Sequence, residues 1–328
     1  MYLIRRVFTN FLNDEIQMKK ERFDSAMTFN GMHLDPNNVE NLIIKFTNCR
    51  ILRGESLISN DILLVRDGKI LDPEYVFFVE KKVPDLEIDC DNLIIAPGFI
   101  DAQLNGAFGK DFTCDTENFK ATLEEVSYKL LKYGCTSYCP TIVSSQRHTY
   151  EELIPQIKRT DARTSENIGA NILGIHLEGP FISSEKIGAH ELSTLRKFDN
   201  GVKSLQDVYG SLDALKANCS IITLAPEFEN AMEVIEYLTK NNIVVSIGHT
   251  MATLNEGEKA VRHGARFITH LFNAMCSFHH RDPHLVGLLS NEDFVNEQKL
   301  YYGIISDLVH THPSAVNSNI INLHHFIF

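Results

Sequence analysis

The chain has 328 residues, of which 44% are hydrophobic and 23% charged, with only 18 Gly and 10 Pro; this balance excludes a wholly disordered, collagen-like or low-complexity protein. Lys and Arg number 31 against 43 Asp and Glu, a net charge of -12, whereas a binder of the nucleic-acid backbone carries a basic field, so nucleic acid is not the expected partner. A small anionic substrate stays compatible, because a few local cations hold it against the global charge, and no apolar run approaches the ~18 residues of a membrane span.

Residues 1–40 show no clean hydrophobic period and read as a leader. It has no apolar stretch of the kind a secretory signal needs, and Asp14 and Glu15 oppose a transit peptide. The seven Cys are scattered without a C-x-x-C pair, which points to a reducing compartment, the cytoplasm by default. Cys135 and Cys139 lie in an apolar stretch and read as core thiols.

Residues 41–96 read as a small β-rich module, with short β-type runs at Leu42–Phe46 and Ile62–Val65 and a hairpin turn at Asp67-Gly68. From Pro97 the rhythm becomes strand, loop, helix. The expected strands are Gly98–Leu104, Thr136–Val143, Ile172–Leu177, Ser220–Leu224, Ile243–Gly248, Phe267–His270 and Tyr302–Ser306. Between them fall a helix capped by Asp115 or Thr116, with apolar face Phe119, Leu123, Val126 and Leu130 and ended by Gly134, and helices at Glu151–Lys158, near Leu205–Ala217, at Ala231–Lys240 and at Leu254–Arg262. Seven βα-type units in succession imply an α/β fold of the (β/α)8 TIM type. Only 22 residues follow Ser306, and no eighth unit is legible in them. The barrel over 97–316 is therefore expected to lack strand eight, with 317–328 as an atypical tail.

The chemistry gathers at the C-terminal ends of these strands, the face that carries the site in such barrels. Glu178 follows strand three, His249 strand five and His270 strand six, while Asp307 ends strand seven with His310 three residues on. One carboxylate and two imidazoles leave a fourth position open on a divalent ion, zinc first. A single Glu at a strand end is usually a solvated carboxylate and a single His usually structural; repetition at one topological point on three strands is what favours metal. His279, His280 and His284 share a loop that reads as surface, and Arg281 within it suits bidentate phosphate binding. Gly188-Ala189-His190 is a loop able to reach over the strand ends, and His33, His148 and His263 read as surface residues.

Ile95-Ala96-Pro97-Gly98-Phe99-Ile100-Asp101 at the barrel entry is followed in order by His176-Leu177-Glu178-Gly179-Pro180-Phe181, Leu224-Ala225-Pro226-Glu227, Ser246–Thr250 and Thr269-His270-Leu271-Phe272-Asn273-Ala274-Met275. On these motifs the chain, from about Phe46 to about Ala315, resembles the N-acetylglucosamine-6-phosphate deacetylase family of the amidohydrolase superfamily, its animal members above all. The resemblance implies metal-dependent hydrolysis of the N-acetyl group of a sugar phosphate, yielding glucosamine 6-phosphate and acetate. It implies Glu178, His249 and His270 as ligands of one divalent ion, and His190 with the backbone at Ala189 as the contact that polarises the acetyl carbonyl. Asn273 and Ala274 become the sugar-phosphate cradle, Asp307 and His310 the substrate segment after strand seven. Arg281 becomes the phosphate-binding arginine that reaches a neighbouring subunit's site, hence a homodimer.

Three departures stand out. Gln103 and Asn105 occupy the positions of the strand-one His-x-His of two-metal amidohydrolases, which marks a single-metal branch. Leu308 stands where the family has Gly. The general-base Asp of strand eight, in a Thr-Asp-Ala context, has no counterpart after Asp307, so poor activity is expected. Two other readings remain: a dihydropyrimidinase-like or imidazolonepropionase-like amidohydrolase, opposed by Gln103, Asn105 and a fourth strand without Lys, and a non-catalytic product that binds the sugar phosphate or pairs with a full-length subunit through the Arg281 face.

Overall fold

A computed structural model describes residues 41–54, 56–59, 61–160, 169–294 and 298–316. The expected leader and tail, and His33 with them, lie outside the described residues. The described residues fall into two compact units: 41–99 with 129–136 and Gly169, and 100–128 with 137–160 and 170–316.

The first unit is β-rich. One sheet runs in the order β5 (Lys69–Leu71), β4 (Leu63–Arg66), β1 (Ile44–Thr47), β6 (Leu86–Asp89); another runs β3 (Ser56–Ser59), β2 (Arg50–Arg53), β7 (Ile94–Ile95). Asp67 and Gly68 join β4 to β5 with φ of 48° and 73°. Two left-handed residues in succession are what the twist of a two-residue hairpin requires. Phe46, Cys49, Ile51, Leu63 and Val65 form one apolar cluster, and Ile43, Leu64 and Val76 another. Three consecutive buried residues in β4 thus serve two clusters, which explains why its run is not alternating. Strands β1 and β4 are legible because they lie in the apolar runs Leu42–Phe46 and Ile62–Val65, whereas β2, β3, β6 and β7, with at most two consecutive apolar residues within their bounds, escape sequence reading.

The second unit carries the TIM-type parallel sheet, in the order β8 (Phe99–Leu104), β9 (Cys135–Val143), β11 (Ile175–Glu178), β12 (Cys219–Leu224), β13 (Val244–Ile247), β14 (Phe267–Ile268), β15 (Tyr301–Tyr302), with the two-residue β10 (Asn171–Ile172) also on β9. It curls until residues of its end strand β8 and of the segment that follows β15 line one cavity of about 490 Å³. Ala102, Cys139, Ile221 and Phe267 pack together inside the curl.

Helix α1 (Phe119–Leu130) buries Phe119, Leu123, Val126 and Leu130, as their spacing predicts, and Gly134 closes the following 3-10 turn at φ 76°. Its start differs from expectation. Asp115 is not the cap; its carboxylate accepts the Asp111 amide at 2.8 Å, and the helix begins four residues later. Helix α2 (Arg147–Leu153) replaces the expected 151–158, because Pro155 cannot continue a helix. The single helix expected over 205–217 is two, α3 (Lys203–Tyr209) and α4 (Leu212–Asn218), divided at Gly210 with φ 82° and restarted by the Ser211 cap. The third strand is likewise interrupted, at Gly174. Helix α5 (Ala231–Lys240) keeps the expected bounds, and α6 (Leu254–His263) opens with a Thr253–Glu256 capping box. Strands β14 and β15 are two residues each, shorter than expected; after β14 the chain turns out of the ladder at His270, whose φ is 24°.

Candidate metal centre

Three strands deliver the site. Glu178 is the last residue of β11, His249 lies two residues beyond β13, and His270 two beyond β14. His249 and His270 both have positive φ, 48° and 24°. Non-glycine residues persist there only where surrounding contacts hold them, and such positions cluster at functional sites.

Glu178 Oε1 lies 3.2 Å from His249 Nε2 and 3.0 Å from His270 Nε2, and the two imidazole nitrogens are 3.0 Å apart. All three side chains are buried. The opposite ring nitrogens settle the tautomers. His249 Nδ1 faces the Lys186 carbonyl at 2.8 Å and His270 Nδ1 the Asn273 carbonyl at 3.2 Å. A carbonyl only accepts, so in each neutral ring the hydrogen sits on Nδ1 and Nε2 presents a lone pair. Burial works to raise the Glu178 carboxyl, and what holds it well below the ordinary carboxylate range is hydrogen donation or positive charge at the two imidazole positions, which a cation supplies when both Nε2 atoms are bare.

Two lone pairs and a carboxylate converging on one buried point repel unless a cation lies among them. A four-coordinate ion with N and O donors at ~2.0–2.2 Å keeps them about 3.3–3.6 Å apart, close to the edges seen here. The donor set therefore fits one divalent cation with a fourth position free.

A fourth side chain is close: Glu178, His190 and His249 have ligand atoms within 4.8 Å of one another. His190 differs in tautomer. Its Nδ1 accepts the Ser144 backbone N–H at 3.1 Å, so the hydrogen sits on Nε2, 3.8 Å from Glu178 Oε2. Burial lowers its pKa to about 4, which keeps the ring neutral. His190 is thus a hydrogen-bond donor beside the cation position, not a fourth ligand.

Supporting contacts hold this arrangement. Gln103 Nε2 donates to Glu178 Oε1 at 2.6 Å. The loop after β11 lies over His249: Ser183 N–H donates to the His249 carbonyl at 2.8 Å, and a Cβ on Gly188 would come within 3.2 Å of the His249 ring. Glu227 accepts the Thr250 hydroxyl and, at 2.8 Å, the Met251 amide, tying down the turn after His249.

The remaining expected residues fall into two groups. Asp307 lines the 490 Å³ cavity together with Gln103, Asn105 and His270. Asn273 N–H donates to the His270 carbonyl at 2.9 Å and the Ala274 carbonyl accepts Thr250 N–H at 3.1 Å, so both belong to the turns that carry the imidazoles. His310 is bonded to Asp307, its Nδ1 donating to Oδ2 at 2.5 Å. Ala189 is exposed beside His190, and Arg281 is exposed with no ion pair or bond to the cluster among the described residues. His279 and His280 are exposed as expected, whereas His284 is half-buried and donates to the Ala252 carbonyl at 3.1 Å. Sequence reasoning missed Ser144, the Lys186 carbonyl and the role of Gln103. Only Gln103 left a signal, as an amide at a strand-one ligand position.

The amidohydrolase family model matches residues 94–325. The N-acetylglucosamine-6-phosphate deacetylase of Danio rerio is 49% identical over 275 residues, 84% of this chain and 66% of its own length. That of Mus musculus is 49% identical over 275 residues, 84% of this chain and 65% of its own. The chain thus spans just under two thirds of the length of these curated relatives. The crystal structure of N-acetylglucosamine-6-phosphate deacetylase from Pasteurella multocida superposes with a TM-score of 0.67 at 28% identity, over 86% of this chain and 69% of that one.

Proposed function

The chain belongs to the amidohydrolase family, and on that premise we propose that it acts on N-acetylglucosamine 6-phosphate, hydrolysing the acetamide to acetate and glucosamine 6-phosphate. The observation that carries the reading is the trio of Glu178, His249 and His270, whose donor atoms lie 3.0–3.2 Å apart with both imidazole Nε2 atoms bare. These residues would hold one divalent ion, zinc first, whose chemistry is Lewis-acid polarisation and activation of water near neutral pH. The names of the curated relatives support the choice of sugar phosphate.

His190 directs its Nε2–H toward the same space and would donate to the acetyl oxygen as negative charge develops there. The amide carbon gains a bond to the water oxygen and loses its bond to nitrogen, and a proton passes to the departing amine. The sugar would sit against Asn273 and Ala274 and beneath the Asp307–His310 segment. Arg281, exposed and outside any ion pair among the described residues, would bind phosphate, in the neighbouring subunit of a homodimer. No helix among the described residues is long and apolar enough to cross a membrane, and the reading places the protein in the cytoplasm.

The test is acetate release from N-acetylglucosamine 6-phosphate by the zinc-loaded chain, with Glu178→Gln as control. Release that vanishes in the control supports the assignment. Ligand-induced thermal stabilisation without release supports sugar-phosphate binding alone, and absence of both overturns the reading.

A further inference from the structure

Beneath the trio lies a second polar layer that the proposed chemistry does not use. His176, Thr223, Ser246 and Thr269 are all fully buried. His176 Nδ1 donates to the Ala102 carbonyl on β8 at 2.8 Å. That leaves its Nε2 to accept from the Thr223 hydroxyl at 2.7 Å. Thr223 has then spent its one hydrogen, so its oxygen accepts from the Thr269 hydroxyl at 2.7 Å. The Thr269 oxygen accepts in turn from Ser246. The hydrogens run one way through five strands or strand ends, and every hydroxyl is satisfied.

Three of the members lie one to three residues before a residue of the trio. His176 precedes Glu178 by two residues on β11, Ser246 precedes His249 by three, and Thr269 precedes His270 by one. Thr223, on β12, carries no ligand and joins the other three. Buried hydroxyls cost desolvation that a methyl group of the same shape avoids, so stability alone does not call for them. A satisfied network, by contrast, admits only one arrangement of the strands that carry it.

We infer that His176, Thr223, Thr269 and Ser246 are positioning residues that lock the ends of β11, β13 and β14 in the register at which Glu178, His249 and His270 converge on a cation. The inference rests on the metal reading above. It assigns these residues no contact with substrate.

The experiment uses the full chain and reads metal binding without substrate. Zinc affinity is measured by chelator competition, cobalt(II) absorption reports coordination geometry, and melting of the metal-free protein reports stability. Thr223→Val and Thr269→Val keep the shape and remove the hydroxyl. Each is expected to weaken zinc binding roughly ten- to a hundredfold and to alter the cobalt spectrum, while the metal-free melting temperature falls only by the cost of the buried partners left unpaired and not in proportion to the affinity lost. Thr223→Ser and Thr269→Ser restore the hydroxyl and are expected to restore affinity. Valine variants that bind zinc within about twofold of the parent overturn the inference while leaving the metal reading intact. Equal losses in valine and serine variants, or losses that track a lowered metal-free melting temperature, also overturn it. A parent chain that takes up no metal overturns both.

Discussion

His249 and His270 turn their Nε2 atoms toward each other across 3.0 Å, although each ring has its hydrogen committed on the far side, to the carbonyls of Lys186 and Asn273. Neither can donate to the other, so the contact is stable only around a shared positive charge. The Glu178 carboxylate at the third corner completes two nitrogen donors and one anion, the donor set of a divalent ion.

Metal removal should therefore loosen the second unit. Chelation is expected to lower the melting temperature, and readdition of zinc at about a thousand times its dissociation constant to return about 4 kcal/mol. Glu178→Gln should cost more than the ten- to hundredfold typical of an outer partner and abolish the zinc-dependent shift. Differential scanning calorimetry with bound-metal analysis checks both. A zinc-dependent shift preserved in Glu178→Gln would contradict the assignment.

Gln103 would act on a bound metal through Glu178. Replacing it with Leu removes the 2.6 Å donor and is expected to weaken zinc roughly ten- to a hundredfold, whereas Gln103→Glu puts an anion at a strand-one ligand position and should retain zinc better than the Leu variant. Chelator competition on the two variants measures the order.

His190 should separate binding from chemistry. His190→Asn is expected to keep zinc at parental stoichiometry while lowering kcat about a hundred- to a thousandfold, the cost of one oxyanion donor. If zinc stoichiometry falls instead, His190 is a ligand and the tautomer argument from Ser144 fails.

The Asp307 carboxyl is held down to about 2, chiefly by the His310 amide, then by the His310 ring and the Val309 amide. A depressed carboxyl contributes stability above its unfolded value near 4, and loses it as pH falls through the folded value. Carboxyl-detected NMR should place the Asp307 midpoint near 2. In His310→Ala the midpoint should rise only part of the way, since the two backbone donors remain.

Leu308 adopts φ 63°, a left-handed conformation that disfavours a branched side chain, and its side chain is exposed. Leu308→Gly removes about 1–2 kcal/mol of backbone strain against about 0.5–1 kcal/mol of added chain entropy. A rise of one or two degrees in melting temperature is expected, roughly what the size of the chain allows. A fall would show that Leu308 makes contacts worth more than its strain.

The sequence by itself determined the alternation of strand and helix after Pro97, the buried face of α1, and the three strand ends that carry Glu178, His249 and His270, because each follows from local period or from residues fixed relative to one strand. The family resemblance, not local pattern, is what marked Leu308 as out of place in its turn. The sequence placed boundaries poorly wherever one residue overrode a period: Pro155 ended α2, Gly210 divided α3 from α4, and Gly174 split the third strand. Only the tertiary structure decided which of the clustered histidines can ligate. That choice rests on which ring nitrogen carries hydrogen, and hydrogen follows the partner on the far side: carbonyls of Lys186 and Asn273 for two rings, the amide of Ser144 for the third. Those partners lie 63, 3 and 46 residues away along the chain, and all three are backbone groups, which nearly every residue type offers, so no motif could announce them.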